Sequence, residues 1–264
     1  MKKAILIVCL FVLGATTQAQ IISSSSKKVT TTKTKRVTSS NKFIRVGFAS
    51  MSVSGDDVNA YLKSETYNGE VKNKLGYNFT FGFRNPINID INMFNPYWSM
   101  EFGLGSRGLK FEDKAEDEYF SYSQDVSVIA YNLQISPITI GTDFILTNEI
   151  RLDVHFGLYL SLDFAGKAKA ETKEEDKYYD DSWKDDDDFS FSEGKDWLKD
   201  SDHKYIPYDI GTNLGFGIWY NNFNFDITLQ NGFVDIIKSQ DRHGDYEGLN
   251  VHTSTILFRV GYSF

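Results

Sequence analysis

The chain has 264 residues, a formal net charge of −8, four histidines, one cysteine and 15% aromatic residues. A negative chain is a poor partner for nucleic-acid phosphates, and a lone thiol allows neither an internal disulfide nor a thiolate metal site. The longest apolar run, Ala4–Gly14, has eleven residues, far short of the roughly 20 that a spanning helix needs, so any passage through a membrane has to be made by strands.

The N-terminus reads as a secretory signal peptide over residues 1–19. Lys2 and Lys3 precede the apolar run, and Thr17-Gln18-Ala19 is a small-x-small cleavage site before Gln20. Cleavage there removes Cys9 and takes the charge from −8 to −10 by loss of the two lysines. Residues 20–42 are rich in Ser, Thr, Val and Lys, carry Lys27, Lys28, Lys33, Lys35, Arg36 and Lys42, and contain no acid. Nothing in them can build a core, so they read as a flexible basic arm.

Period-two segments begin after the arm and predict strands. In the first, Ile44, Val46 and Phe48 alternate with Arg45, Gly47 and Ala49; in the second, Leu75, Tyr77, Phe79, Phe81 and Phe83 alternate with Gly76, Asn78, Thr80, Gly82 and Arg84. The third has Trp98, Met100, Phe102 and Leu104 on one face, with Glu101 on the other, and the fourth has Ile129, Tyr131, Leu133 and Ile135. Leu152 to Leu162 makes the fifth, with Asp153, His155 and Asp163 on its polar face. Asn221-Asn222 reads as a two-residue hairpin turn. Pairing outward from it sets Tyr220 against Phe223, Ile218 against Phe225, Phe216 against Ile227 and Leu214 against Leu229, and on the polar face Gly217 against Asp226 and Gly215 against Thr228. Trp219 breaks that pattern. The eighth strand ends the chain, with Ile256, Phe258, Val260, Tyr262 and Phe264 on one face and Thr255, Arg259, Gly261 and Ser263 on the other; Leu257 intrudes there.

The connections sort by length. Ser54–Glu70, Ser106–Asp125, Ala165–Ile206 and Gly232–Asn250 fall at one end, and Asn85–Asn95, Pro137–Ile150 and Asn221–Asn222 at the other. Long outer loops and short inner turns are the pattern of an outer-membrane barrel, which puts the basic arm in the periplasm. Alternation alone fits a soluble secreted β-barrel binding protein equally well. Three features favour the membrane. Aromatics Phe83, Trp98, Tyr220, Phe223, Tyr262 and Phe264 gather at the inner ends, as a girdle would. The polar face carries both signs of charge, with Arg45, Arg84, Glu101, Asp153, His155, Asp163, Asp209, Asp226 and Arg259 forming a lumenal polar network. The chain also ends on an aromatic strand.

The terminal F-R-V-G-Y-S-F and the strand G-Y-N-F-T-F-G-F-R resemble the outer-membrane β-barrel domain family, including the small eight-stranded OmpA/OmpX-type and PorT-like barrels. Tyr131-Asn132-Leu133-Gln134-Ile135-Ser136-Pro137 resembles a Tyr-Leu-x-Ile-Pro strand end of the PorT-like group, with an extra Ser136. The resemblance covers residues 43–264. It implies an all-β, eight-stranded antiparallel up-and-down transmembrane barrel with long outer loops, sited in the Gram-negative cell outer membrane among its lipids. It also implies that Phe258, Val260, Tyr262 and Phe264 form the assembly signal read by the barrel-insertion machinery.

Two chemistries compete on these residues. Asp153 and His155, with Asp163 further along, would suit a general-base dyad or a metal site in a barrel enzyme such as a lipid-modifying one, or a transport or secretion factor. The other reading is a lumenal ion-pair network in a non-enzymatic structural or surface protein, since buried charge has to be paired. No nucleophile-elbow, zinc-protease, P-loop or dinucleotide fingerprint is present, and no cofactor is expected. In the loop 165–206, fourteen acids against five lysines lie between Glu171 and Asp202. Asp185, Asp186, Asp187 and Asp188 are weak candidates for metal, since carboxylates suit divalent cations but the spacing is not that of a calcium loop. A basic partner would suit the same charge, and the expected unliganded state is a solvated, mobile loop.

Overall fold

The computed structural model describes residues 41–55, 70–88, 94–116, 120–176, 181–190, 203–240 and 243–264. The signal-peptide reading and most of the basic arm lie outside them. Twelve strands are described: β1 (Asn41–Ser54), β2 (Glu70–Pro86), β3 (Phe94–Glu116), β4 (Phe120–Ile145), β5 (Ile150–Asp176), β6 (Asp181–Ser190), β7 (His203–Tyr205), β8 (Tyr208–Tyr220), β9 (Phe223–Gly232), β10 (Ile237–Gln240), β11 (Tyr246–Gly248) and β12 (His252–Ser263).

Eight of these close a ring. The order β4-β3-β2-β1-β12-β9-β8-β5 is completed by a β4–β5 pairing, and every neighbour is antiparallel. Closure joins the two ends of the barrel sequence: Val46 faces Val260, Arg45 faces Gly261, and the Phe264 amide donates to the Lys42 carbonyl at 2.9 Å. Asn41 and Lys42, expected in the arm, are part of β1 and face Arg84 and Phe83 of β2. The β8–β9 hairpin turns at Asn221, whose φ is 52°, and its register joins Tyr220 to Phe223 and Leu214 to Leu229.

Alternation sorts the side chains by face. Exposed large apolar residues ring the outside on all eight strands, among them Phe48, Phe79, Leu104, Ile140, Leu158, Leu214, Phe225 and Val260. On β8 the belt runs from Tyr208 to Tyr220, twelve steps or about 40 Å along the strand, which at a tilt of about 45° is about 28 Å in height. Aromatics flank it. Phe83 meets Trp98 edge-on with centroids 6.3 Å apart, Phe223 meets Tyr262 at 5.2 Å and Phe94 meets Phe144 at 5.0 Å at the inner end, while Phe164, Tyr208 and Phe233 are exposed at the outer.

Large inward side chains are seated opposite glycine on the neighbouring strand. The cross-strand pairs are Phe43 with Gly82, Tyr97 with Gly141, His155 with Gly215 and Tyr159 with Gly211. A Cβ at Gly82, Gly141, Gly215 or Gly211 would lie 2.4, 2.4, 2.0 and 2.5 Å from the facing ring. An eight-stranded ring has little room, and these pairings let it be filled without overpacking.

Two expected connections are instead strand. Pro137 does not end β4. It sits in an irregularity of the pairing between Ile135 and Thr139, where its missing amide costs no ladder bond. The extra residue shifts the inward positions from Asn132 and Ser136 to Thr139 and Asp143, so the strand runs on to Ile145 and the inner turn is only Leu146–Glu149. At the outer end, Ser106–Asp125 is mostly β3 and β4, paired in register from Arg107–Ala130 to Glu116–Ser121. Beyond the belt neither face has to be apolar, so the periodicity fades while the ladder continues. Charge takes over there. Lys72 and Lys110 reach Glu112 at 2.6 and 2.7 Å, and the Lys110 and Lys72 hydrogen bonds hold its carboxyl down at about 2.

The acidic segment is also ordered as a ladder where it is described. β5 continues to Asp176 and pairs with β6 from Lys167–Ser190 to Asp176–Asp181, so the expected mobile loop is in that part a hairpin. Its seed is visible as Lys167-Ala168-Lys169-Ala170, which alternates and faces β4 through Val126 and Val128. β7, β10 and β11 form a separate small sheet tied to the barrel by hydrogen bonds from Ile206 N to Ile236 O and from Ile236 N to Val251 O. Cutting the hairpin back by replacing Glu171–Asp186, which face each other in the register, with a short Gly-containing turn is expected to leave the barrel folded in a heat-modifiability gel. Excising all of 165–206 is expected to weaken it, because buried Ile206 and the Tyr205 hydroxyl on Asp163 go too.

Candidate functional site

The inward face carries the charge in three tiers. At the inner end, Arg84 donates to Asp153 at 3.0 Å and pairs with Asp143 at 2.6 Å, while Arg151 reaches the other oxygen of Asp143 at 3.2 Å. The Tyr97 hydroxyl and the Trp219 indole N–H also donate to Asp153, at 3.0 and 3.3 Å. The Arg84 guanidinium lies 3.3 Å from the Tyr97 ring centroid, and Arg84 and Arg151 lie 5.6 and 5.2 Å from that of Trp219. Trp219, the break in the sequence pattern, is thus a lumenal donor and cation-stacking surface.

In the middle tier Glu101 bridges two arginines, Arg45 at 2.7 Å and Arg259 at 3.1 Å. Arg259 continues to Asp226 at 2.6 Å and Thr228 at 3.0 Å, and Arg45 donates to the Asn224 side chain at 3.0 Å. In the outer tier Arg107 binds Asp163 at 2.9 Å and lies 3.6 Å from Asp209. Tyr159 and Thr253 hydroxyls donate to Asp209, and the Tyr205 hydroxyl to Asp163. All of the named carboxylates are buried, and Asp143, Asp209 and Asp226 are 0% exposed.

His155 is held between carboxylates of two tiers. Its Nδ1 is 2.8 Å from Asp153, and its Nε2 is 3.3 Å from the Thr228 hydroxyl and 3.7 Å from Asp226. Both ring nitrogens are committed, and the ring is packed against Gly215. Asp163 does not join this pair. It lies eight residues further along β5, about 26 Å at 3.3 Å per residue, and binds Arg107 instead. A base needs a free nitrogen within reach of a substrate proton, and this arrangement presents none.

The structure brings Arg45, Glu101, Asp226, Arg259 and His155 together in the middle, places Arg84 and Asp153 below them, and groups Asp163 with Asp209 at the outer mouth. Sequence reasoning missed Asp143, Arg107, Arg151, Tyr97 and Trp219. Asp143 was detectable, since Thr139-Ile140-Gly141-Thr142-Asp143 alternates once the irregularity at Pro137 is allowed. Asp185 is exposed on β6, and among the described residues no group of three or more His, Cys, Asp or Glu is placed to hold a metal. Leu257, the apolar intruder, is 2% exposed and lines a small lumenal chamber with Ala49, Asn78, Asn132 and Gln230.

No family model and no curated protein matches the chain. Among solved structures it is similar to Ail, the attachment invasion locus protein of Yersinia pestis, at 16% identity over 85% of this chain and 99% of that one, with a TM-score of 0.31. It is also similar to Neisserial surface protein A, at 10% identity over 86% and 99% with a TM-score of 0.35, and to the KdgM porin, at 10% identity over 86% and 99% with a TM-score of 0.18. Likeness at those scores carries no weight for ancestry or activity; the closed ladder itself establishes the barrel.

Proposed function

We propose that the protein is an integral outer-membrane β-barrel with a non-enzymatic structural or surface-interaction role. The apolar belt on all eight strands, set against a charged and mutually paired interior, carries this reading. A soluble barrel would bury its apolar face and show its charges, whereas here Phe48, Phe156, Phe225 and Val260 are exposed and Asp153, Asp226 and Arg259 are hidden. Lipid is the solvent that makes such a surface favourable. In this reading residues 1–19 are the signal peptide, the arm to residue 40 is periplasmic, and Phe258, Val260, Tyr262 and Phe264 are presented to the insertion machinery. The acid-rich β5–β6 hairpin lies outside, where a basic partner or divalent cations would meet it. Cell fractionation with heat-modifiable gel migration tests the proposal, and quantitative recovery in a detergent-free soluble fraction would defeat it.

The same geometry predicts transport behaviour. Three tiers of paired charge and the ring of seated aromatics fill the lumen, as expected at eight strands. Planar-bilayer recordings of the purified protein are expected to show no large, steady conductance. Stable open channels would mean that the tiers part in the membrane.

A further inference from the structure

The three tiers differ in charge balance. The inner tier sets Arg84 and Arg151 against Asp143 and Asp153, and the middle tier sets Arg45 and Arg259 against Glu101 and Asp226. Each has two guanidinium groups for two carboxylates. The outer tier has one: Arg107 faces both Asp163 and Asp209, and among the described residues no other cation is paired with either. Both carboxylates are almost wholly buried. In each, Oδ2 takes the donors, namely Arg107 and Tyr205 on Asp163, and Tyr159 and Thr253 on Asp209. The Oδ1 atoms of both are buried without a hydrogen-bond partner. A carboxylate oxygen removed from water with no compensating donor is costly, and two of them beside one surplus negative charge call for a positive ligand.

We infer that the outer lumen holds a small monovalent metal cation between Asp163 Oδ1 and Asp209 Oδ1. The two residues are held on neighbouring strands: Asp209 is opposite Ser161, and the Asp163 amide donates to the Pro207 carbonyl at 2.6 Å. Their carboxylates therefore share one face at a diagonal spacing. Hard oxygen donors suit alkali and alkaline-earth ions, and the single unit of excess charge selects a monovalent one. Gly232 leaves room for the Asp209 carboxylate itself, since a Cβ there would lie 2.3 and 2.6 Å from its Oδ2 and Oδ1 and 2.6 Å from the Thr253 hydroxyl. A lumenal chamber of about 10 Å³ is lined by Arg107 and Tyr159, the partners of the two carboxylates, and has room for about one water.

The test is urea unfolding of the full refolded barrel in lipid vesicles, in sodium chloride and in choline chloride at matched ionic strength. Choline is too large for the site, so the comparison separates binding from screening. A cation present at about ten times its dissociation constant shifts the folding equilibrium roughly tenfold, and a shift of that order in favour of sodium is expected. Asp209→Asn and Asp163→Asn each remove the excess charge while keeping a carbonyl acceptor, and each is expected to abolish the sodium preference. Equal stability in sodium and choline would overturn the inference. So would a preference that survives in both variants, which would place the cation on the exposed acids, or a response to calcium with none to sodium. Should both variants fail to fold, the unaltered protein is compared with the barrel in which Glu171–Asp186 is replaced by a short turn: a sodium preference kept without the exposed acids supports the inference, and one lost with them overturns it.

Discussion

Replacing Asp153 by Ala is expected to destabilise the barrel by about 3–5 kcal/mol, the usual cost of removing one partner from a buried ion pair. Asp153 accepts from Arg84, Tyr97, His155 and Trp219. These come from β2, β3, β5 and β8, so one carboxylate ties together strands that are not all neighbours in the ring. Its loss leaves Arg84 and Arg151 sharing Asp143 alone, with a net positive charge in a site walled by aromatic rings. Two neutral donors and one imidazole nitrogen lose their acceptor as well. Asp153→Asn keeps an acceptor oxygen but not the charge, and is expected to cost distinctly less. Urea midpoints in lipid vesicles, or the temperature of the heat-modifiable gel shift, would rank the unaltered protein above Asn and Asn above Ala. A loss below about 1 kcal/mol for Ala would show that water hydrates the tier and that the charges are not buried in effect.

The ranking depends on features that were unequally visible in the sequence. The barrel face of each strand was legible because lipid and lumen impose opposite demands on successive residues, and the β8–β9 register followed from a turn only two residues long. The charged tiers were legible as a composition but not as partners. Which arginine meets which acid is set by the stagger of strands around the ring, and a change of one residue at Pro137 moves Thr139, Gly141 and Asp143 inward. Asp143 was lost to that shift, and Arg151 because it precedes Leu152, where the apolar alternation of β5 begins. Arg107 was lost for another reason. It lies just past Leu104, where the belt ends, so the alternation that marks Trp98 to Leu104 has faded by the time the strand reaches it. The β5–β6 ladder escaped notice for the same reason, since a run of Asp carries no periodicity even when the backbone alternates. Trp219 and Leu257 looked like errors in an otherwise regular pattern, and both are inward-facing residues that fill a narrow lumen.

Substituting Arg for Leu214 is expected to destabilise the inserted barrel by about 2–4 kcal/mol, the cost of a lipid-facing cation near the midplane. Leu214 is exposed, six residues from both Tyr208 and Tyr220, and therefore sits at the centre of the belt on β8. Its neighbours across the ladder are Phe156 and Leu229, so an arginine there has no acid beside it. The guanidinium has to reach an interface about 14 Å away, half of a belt about 28 Å high, and its own side chain is too short to do so without thinning the bilayer. The same change at a soluble surface would be nearly neutral and would improve solubility, because an exposed leucine gives way to a charge. The sign of the effect thus distinguishes the two solvents. Arg at Tyr208, on the outer edge of the belt, is the matched control and is expected to cost at most about 1 kcal/mol. Folding yield into vesicles and urea midpoints would read both. Equal, negligible losses at positions 214 and 208 would mean that the belt does not face lipid, and the outer-membrane reading would fall with it.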